Sequence, residues 1–249
     1  MSNKFLISVI LLTVFFLYSG CSGTKEVSKE EEKKPEPKVE EPARPVIRNI
    51  DKLERDYISS SKIQEIDRLE YDYDKEQKLV NRRKASTVKY DRNGFLQETV
   101  IYDDKGIPES KFTYNYNNNN LRTETLRYNN KGRQDKKYTY EYNEYGNKIR
   151  SERYAPSGTL EKYYTYEYDD EGNLIEDTWC DRDGEVEYKI EYEYDDAGKK
   201  ISGESFGADG KLQFRYEFKY DEKGNLIEEV KFDAGGIKLG ILQYVYKYY

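Results

Sequence analysis

Aromatic and polar residues alternate along most of this chain from about residue 66 onward. Tyr164, Tyr166 and Tyr168, for example, are separated by Thr165 and Glu167. Because successive side chains of a β-strand point to opposite faces, this period of two predicts strands with one aromatic and one charged face. The same spacing recurs in four other segments, Phe112-x-Tyr114-x-Tyr116, Tyr138-x-Tyr140-x-Tyr142, Ile190-x-Tyr192-x-Tyr194 and Tyr216-x-Phe218-x-Tyr220.

Turn residues divide these strands at regular intervals. A glycine recurs at alternating spacings of 12 and 14 residues, so two steps make a 26-residue repeat. Only Asn120 departs from glycine, and asparagine tolerates positive φ better than most residues. The pattern predicts three-residue hairpin turns with a left-handed residue, in which Asp169 pairs with Asn173 and Tyr168 faces Leu174. The marks are Gly94, Gly106, Asn120, Gly132, Gly146, Gly158, Gly172, Gly184, Gly198, Gly210, Gly224 and Gly236.

The turns and strands together predict an all-β fold. With a weaker first hairpin around residues 71–77, there are about fourteen strands in one continuous antiparallel meander. At about 4.8 Å per strand the sheet would extend roughly 65 Å, too far to stay flat, so we expect a twisted or curled single sheet. Whether it closes is left open. Ahead of it, Asn49 is a candidate N-cap for a short helix over residues 49–58.

The aromatic face of the predicted sheet is not expected to be uniformly apolar. Strict alternation places four carboxylates on the aromatic face, beside leucines at 96, 174 and 226, and we expect them to pair with Arg122 and Arg150 across strands. Trp179, the single tryptophan, should point to the opposite face from the tyrosines. The four carboxylates are Glu98, Glu124, Glu176 and Glu228.

The N-terminus resembles a bacterial export signal. A hydrophobic run from Phe5 to Leu17 follows Lys4, and Ser19-Gly20-Cys21 resembles a lipobox in which Tyr18 replaces the usual aliphatic residue. We therefore expect a signal peptide over 1–20, a lipid-anchored disordered tether over 21–46 and a β domain over 47–249. This predicts a membrane protein anchored by lipid in the bacterial cell envelope, at the outer membrane or the cell surface.

Charge and composition narrow the function. The net charge of −7 becomes −8 without Lys4, which argues against nucleic acid as a partner. Histidine is absent, which removes the commonest zinc ligand and general base. The acidic turns at 169–171 and 181–183 are explained by turn preference rather than by calcium. We expect no metal, no cofactor and no disulfide, since Cys180 stays alone once Cys21 is lipidated.

The strand motif resembles a known repeat. The segments from Tyr166 to Leu174, from Tyr192 to Gly198 and from Phe218 to Leu226 look like the Tyr-Asp (YD) repeats of Rhs-type proteins, whose signature is roughly Y-x-Y-D-x-x-G-R-L. The likeness covers about residues 66–249, although the arginine after glycine is replaced here. The resemblance implies a structural β repeat without catalytic residues. The last residues of this sequence continue the repeat pattern, so we do not expect the toxin domain of the large Rhs proteins here.

These observations favour a non-enzymatic envelope lipoprotein that offers its repeat surface to a protein or a carbohydrate. Alternatives are a structural spacer without a specific ligand and a hydrolase acting on a polysaccharide, for which the carboxylates at 98, 124, 176 and 228 would have to converge. The sequence also disfavours an outer-membrane barrel, because lysine and glutamate at every second strand position leave no apolar band to face the lipid. The candidate binding face consists of Tyr140, Tyr142, Tyr166, Tyr168, Tyr192, Tyr194, Phe218 and Tyr220.

The lipid anchor leads to the first prediction. Mass spectrometry of the mature protein should find Cys21 at the N-terminus, carrying acyl chains. The Cys21→Ala protein should move from the membrane fraction to the soluble fraction, because the mature chain then loses its only anchor. An unmodified Cys21, or a mature chain that begins elsewhere, would contradict the anchor.

Overall fold

The structure is a computed structural model that describes residues 49–249. The predicted signal peptide over 1–20, the lipidation site at Cys21 and the tether up to residue 46 lie outside the described residues. In the part of the chain that the structure describes, no helix is long and apolar enough to cross a membrane.

Within residues 49–249, a single helix, α1 (Ile50–Ser60), precedes the strands. The Asn49 side chain accepts a hydrogen bond from the Lys52 backbone N–H at 2.9 Å, which satisfies one of the free donors at the helix start. The predicted helix and its N-cap are therefore confirmed, with the helix two residues longer than expected.

Fourteen strands follow α1, and each pairs antiparallel with the next, as the sequence predicted. The sheet also closes on itself, because β1 pairs with both β2 and β14, with Ile66 opposite Tyr246 at the seam. The predicted curling thus ends in a closed barrel. The strands are β1 (Ile63–Tyr73), β2 (Leu79–Tyr90), β3 (Leu96–Tyr102), β4 (Pro108–Tyr116), β5 (Arg122–Asn129), β6 (Gln134–Tyr142), β7 (Lys148–Tyr154), β8 (Leu160–Tyr168), β9 (Leu174–Asp181), β10 (Val186–Tyr194), β11 (Lys200–Gly207), β12 (Leu212–Tyr220), β13 (Leu226–Asp233) and β14 (Lys238–Tyr248).

The repeating turns have the predicted geometry. All twelve marks have positive φ, including Asn120 at 62°. In the turn after β8, the Gly172 N–H donates to the Asp169 carbonyl, and Asp169 N–H donates to the Asn173 carbonyl. Tyr168 faces Leu174 as expected. The Asp169 carboxylate accepts the backbone N–H groups of residues 171 and 173, which explains the Asp or Asn at this position without a metal.

A β-bulge follows each of the six turns that end the longer, even-numbered strands β2 to β12. Lys89 pairs with Glu98 while Tyr90 pairs with Leu96, so Gln97 is an extra residue on β3. An extra residue shifts the alternation by one, so Leu96 and Glu98 point to opposite faces. The prediction that carboxylates 98, 124, 176 and 228 share the aromatic face is therefore wrong: each follows such a bulge and lies on the charged face.

Helix α1 lies across one end of the barrel, which we call the helix end. Ile58 packs with residues of β1, β2, β13 and β14, and Ile50 packs with Leu174 of β9 and Ile190 of β10. One short helix can reach strands on opposite walls only from inside the ring, so the aromatic face that it touches is the barrel interior. Fourteen strands tilted by about 40° make a ring about 28 Å across, and an 11-residue helix is about 16 Å long.

Hydrogen bonds fix α1 to the turns of the helix end. Asn49 donates to the Tyr145 carbonyl, the Ile50 N–H donates to Asn147, and Tyr57 donates to Asn225 at 2.6 Å. At Gly94 an added Cβ would lie 2.1 Å from the Arg55 carbonyl oxygen. The glycine there thus serves two purposes, since it allows positive φ and the close approach of the helix backbone.

The packing of α1 predicts that truncating its buried and its exposed side chains will lower the stability of the protein by different amounts. Ile58 is fully buried, whereas Leu53 is 41% exposed. Ile58→Ala should lower the free energy of unfolding by about 2–5 kcal/mol because it leaves a cavity under the helix. Leu53→Ala is the matched control and should change it by less than about 1 kcal/mol. Urea denaturation of the two variants measures both values. Equal small losses would contradict the docking of α1.

Candidate binding site inside the barrel

The eight residues of the candidate binding face lie together, but inside the barrel rather than on an exposed surface. They come in pairs from four long strands, β6, β8, β10 and β12, and form two parallel rows along the wall. All are half-buried except Tyr192, which is buried at 6% exposure. A ligand of these rings would therefore have to enter the barrel.

In the first row each tyrosine hydroxyl reaches a side chain 15 residues earlier, on the preceding strand. Tyr140 donates to Thr125 at 2.7 Å, and Tyr192 donates to Asp177 at 2.8 Å. At residue 218 the hydroxyl is missing, and its partner position is Gly203, so donor and acceptor are lost together. The remaining pairs are Tyr114 with Thr99, Tyr166 with Ser151, and Tyr244 with Glu229.

In the second row each hydroxyl donates to a backbone carbonyl 20 residues earlier. Tyr142 reaches the Arg122 carbonyl, and Tyr168 reaches the Lys148 carbonyl, both at 2.7 Å. Each acceptor directly precedes the extra residue of a bulge, where the strand ladder is interrupted. The hydroxyl therefore supplies a hydrogen bond at the place where strand pairing is locally disrupted. Tyr116, Tyr194, Tyr220 and Tyr246 make the equivalent bonds to residues 96, 174, 200 and 226.

Trp179 also lies inside the barrel. Its ring packs edge-on against Tyr164 at 4.8 Å between centroids, and its indole N–H donates to Asp177. The prediction that it faces away from the tyrosines is wrong, because the bulge after Leu174 reverses the alternation along β9. Cys180 consequently takes the outer face, where it is buried opposite Tyr163.

The carboxylates considered for hydrolysis lie on the outer wall in separate strands. Glu98 pairs with Lys89 and Lys111, and Glu228 pairs with Lys219. Arg122, their expected partner, points inward instead, and Arg150 pairs with Glu152. Glu176 pairs with Lys189, and Glu124 accepts a hydrogen bond from the Asn115 side chain, so all four carboxylates have partners on the outer wall.

Three buried cations occupy one ring of the interior next to α1. Arg122, Lys148 and Lys200 occupy the same position of three different repeats, and each is 6% exposed or less. Lys200 Nζ lies 3.6 Å from the centroid of the Tyr192 ring, and Lys148 Nζ lies 4.8 Å from that of Tyr166. Among residues 49–249 neither lysine has a salt-bridge partner within 4 Å. Their charges lie over ring faces, which attract cations.

Burial alters the proton affinity of the groups in the interior. It lowers the pKa of Lys200 to about 8 and lowers the pKa of Lys148, against the opposing effects of nearby acids. It also raises the pKa of Asp177 and of Glu229, although hydrogen bonds from Tyr192 and Tyr244 oppose the rise. Desolvation thus disfavours both signs of charge here, and any ligand charge that compensates the lysines would be stabilised.

The sequence analysis missed these interior cations. Arg122, Lys148 and Lys200 directly follow the residue after the turn mark, where strict alternation gives no reason to expect a buried charge. A signal was nevertheless present, because leucine stands at the equivalent positions 96, 174 and 226 of the other repeats. Leucine at a position in some repeats indicates that the position faces the interior. A lysine or arginine at the same position of another repeat can bury its aliphatic stem there in the same way.

Comparison with known proteins adds little to this geometry. A family profile described only as an uncharacterised protein matches residues 133–230, which is less than half of the chain. No curated protein matches. Among solved structures, a porin-like protein from Bacteroides uniformis is 12% identical, with a TM-score of 0.42, over 74% of this chain and 98% of that one.

Two further structural neighbours are more distant. A LolA superfamily protein from Nitrosomonas europaea is 14% identical, with a TM-score of 0.32, over 77% of this chain and 88% of that one. The Tc holotoxin pore of Photorhabdus luminescens is 16% identical, with a TM-score of 0.31, over 68% of this chain and 10% of that one. Scores this low carry no functional argument.

The first tyrosine row predicts a pH-dependent cost of removing one hydroxyl. Tyr192→Phe should lower the free energy of unfolding by about 1–3 kcal/mol at pH 7, because buried Asp177 loses a donor. Without that donor the pKa of Asp177 should rise further. A carboxyl group whose pKa is higher in the folded than in the unfolded protein lowers the stability once the pH rises above its unfolded pKa. The stability lost by Tyr192→Phe should therefore be smaller at pH 4 than at pH 7.

The control for this variant is Tyr145→Phe, since Tyr145 is 45% exposed and lies in a turn. Urea denaturation at the two pH values measures both variants. A Tyr192→Phe loss equal to that of the control, or one independent of pH, would show that the pairing with Asp177 does not stabilise the barrel.

Proposed function

We propose that this protein is a non-enzymatic, lipid-anchored protein of the bacterial cell envelope whose ligand binds inside the barrel. The observation that carries the proposal is the pair of buried lysines, Lys148 and Lys200, which lie over tyrosine rings with no carboxylate within salt-bridge distance among residues 49–249. A fold gains nothing from leaving a desolvated cation without a counter-charge. A binding site gains from it, because the ligand supplies that charge.

The interior favours a ligand with an anionic group and a flat or apolar body. Half-buried rings of Tyr140, Tyr166 and Phe218 present apolar surface along the wall, and rings of this kind stack on sugars and on aromatic groups. The lysines provide the charged contact next to α1. An acidic carbohydrate or an anionic amphiphile combines these features, so we favour such ligands over a protein partner, which would not fit within the ring.

The far end of the barrel is the proposed entrance. At Gly106, Gly132, Gly158, Gly210 and Gly236, an added Cβ would meet no atom within 4 Å. The helix end, in contrast, is covered by α1 in the structure. We infer that the ligand enters past the far-end turns and moves along the tyrosine rows towards the lysines.

A structural spacer is the second candidate, and one observation favours it. The hydroxyls of both tyrosine rows are bonded to the wall, so the rings hold neighbouring repeats together whether or not a ligand is present. In this alternative the lysines only fill space over the rings. The likeness to YD repeats is compatible with both functions, because that motif is structural.

Trp179 allows a direct test, because the single tryptophan lies inside the barrel. We expect the anionic aromatic probe 1-anilinonaphthalene-8-sulfonate to bind the folded protein and to quench Trp179. Lys200→Met should weaken this binding at least about tenfold, since a charge-assisted contact contributes about 1.5–3 kcal/mol. Fluorescence titration measures the affinity, and the melting temperature of each protein is recorded alongside.

The control is Lys219→Met, which removes a lysine that pairs with Glu228 on the outer wall. It should leave the affinity unchanged. If the probe leaves Trp179 fluorescence unaffected, or binds equally to the Lys200→Met and Lys219→Met proteins, the interior is not an anion-binding site and the spacer is favoured.

A further inference from the structure

A small cavity separates α1 from the barrel wall at the helix end. It measures 30 Å³ and lies between β2, β5 and the helix, with exposed Asn120 at its edge. A water molecule needs about 10–15 Å³ measured in this way, so the cavity holds one or two small occupants. It adjoins the helix end of the tyrosine rows, with Tyr116 of the second row in its lining, but the inference below does not depend on the function proposed for those rows.

Unsatisfied donors converge on this cavity. Arg122 and Tyr90 both line it, and they are 6% and 4% exposed. The Nε and Nη1 atoms of Arg122 and the hydroxyl of Tyr90 have no hydrogen-bond partner in the described part of the chain. Leaving such buried groups unpaired costs about 1–3 kcal/mol each, and more for a charged group. These three donors therefore lack an acceptor, although Asp51 and Glu54 also line the cavity.

Arg122 is held in place by surrounding rings. Its guanidinium carbon lies 5.0 Å from the centroid of Tyr114 and 5.7 Å from that of Tyr140. The ring faces stabilise the cation, while its Nε and Nη1 atoms keep no hydrogen-bond partner among residues 49–249. Arg55 adds a second cation to the lining, with its own guanidinium over Phe95 at 4.8 Å.

The charges of the lining favour a monovalent anion. Arg55 and Arg122 are cationic, and the acidic groups are Asp51 and Glu54. Burial raises the pKa of Glu54 to about 8, with a further contribution from Asp51, so Glu54 is mostly neutral at pH 7. One net positive charge then remains for an occupant to neutralise.

We propose that the cavity between α1 and the barrel wall is a binding site for a small monovalent anion of the halide class, held by Arg122 and Tyr90. The anion accepts from Arg122 Nε–H and Nη1–H and from the Tyr90 hydroxyl, the buried donors that otherwise have no partner. Because α1 and the wall both line the cavity, the occupant stabilises the docked helix.

Anion binding should depend on pH through Glu54. The charged or titratable groups that act on it are Asp51 from α1, Arg122 from β5, Lys148 from β7 and the nearby tyrosines 90, 116 and 246. Above about pH 8, ionised Glu54 places its own negative charge next to Arg122 and competes with the anion. Affinity should therefore be greatest below pH 8 and fall about tenfold per pH unit above it.

The test compares chloride with gluconate, an anion too large for the cavity, at constant ionic strength. The melting temperature of the mature protein at pH 7 should be at least about 2 °C higher in 100 mM chloride than in gluconate. Crystals soaked in bromide should show one anomalous scattering peak beside Arg122 and Tyr90. At pH 9 the chloride effect should be much smaller, because the affinity is then about tenfold lower, but it should keep its full size in Glu54→Gln, whose amide stays neutral.

Two conservative variants separate binding from folding. Tyr90→Phe keeps the aromatic ring but removes the hydroxyl, and Arg122→Lys keeps the charge but removes the guanidinium. Each should weaken chloride binding at least about threefold. Arg215→Gln, which removes a cation that pairs with Glu204 on the outer wall, is the control and should bind normally. Equal melting temperatures in chloride and gluconate, no bromide peak, or full binding by Tyr90→Phe and Arg122→Lys would show that the cavity holds water only.

Discussion

The pairing of β1 with β14 is the constraint on which the rest of the structure depends. An open sheet of fourteen strands would expose the same tyrosine face to water along its whole length. Closure turns that face into an interior, and it brings Ile63 and Ile66 of β1 beside Tyr244 of β14 under the helix. Without the seam there would be no enclosed end for α1 to cover.

The tyrosine hydroxyls explain how so polar a chain sustains this fold. Mean hydropathy is −1.07, and only 36% of residues are hydrophobic. A tyrosine supplies ring surface to the interior and also a donor that satisfies either a neighbouring side chain or a carbonyl next to a bulge. The bulge and the tyrosine are therefore coupled: one interrupts the ladder, and the other replaces the lost hydrogen bond. This coupling repeats every 26 residues, which gives the sequence its regularity.

The sequence predicted the strands and turns well because both depend on local chemistry. Positive φ at Asn120 and the pairing of Asp169 with Asn173 follow from turn geometry alone. Closure could not be predicted, because it depends on a contact between the first and last strands that no local pattern encodes. The faces of Glu98 and Trp179 were predicted wrongly, since one extra residue at a bulge reverses every later position of the strand. The interior cations were missed for a different reason: Arg122, Lys148 and Lys200 stand at the inward positions that leucine holds in the other repeats, and a buried charge is not expected there.

Closure is tested most directly by cross-linking the seam. Glu65 and Lys247 are opposite each other on the outer face of β1 and β14 and form an ion pair. With Cys180 replaced by serine and Cys21 by alanine, cysteines at 65 and 247 should form an intramolecular disulfide under mild oxidation of the native protein. They should not do so in denaturant. A pair at 65 and 111, on strands that do not pair, serves as the control. The closed barrel predicts nearly complete cross-linking of the seam pair alone, and a seam pair that stays reduced as long as the control would contradict it.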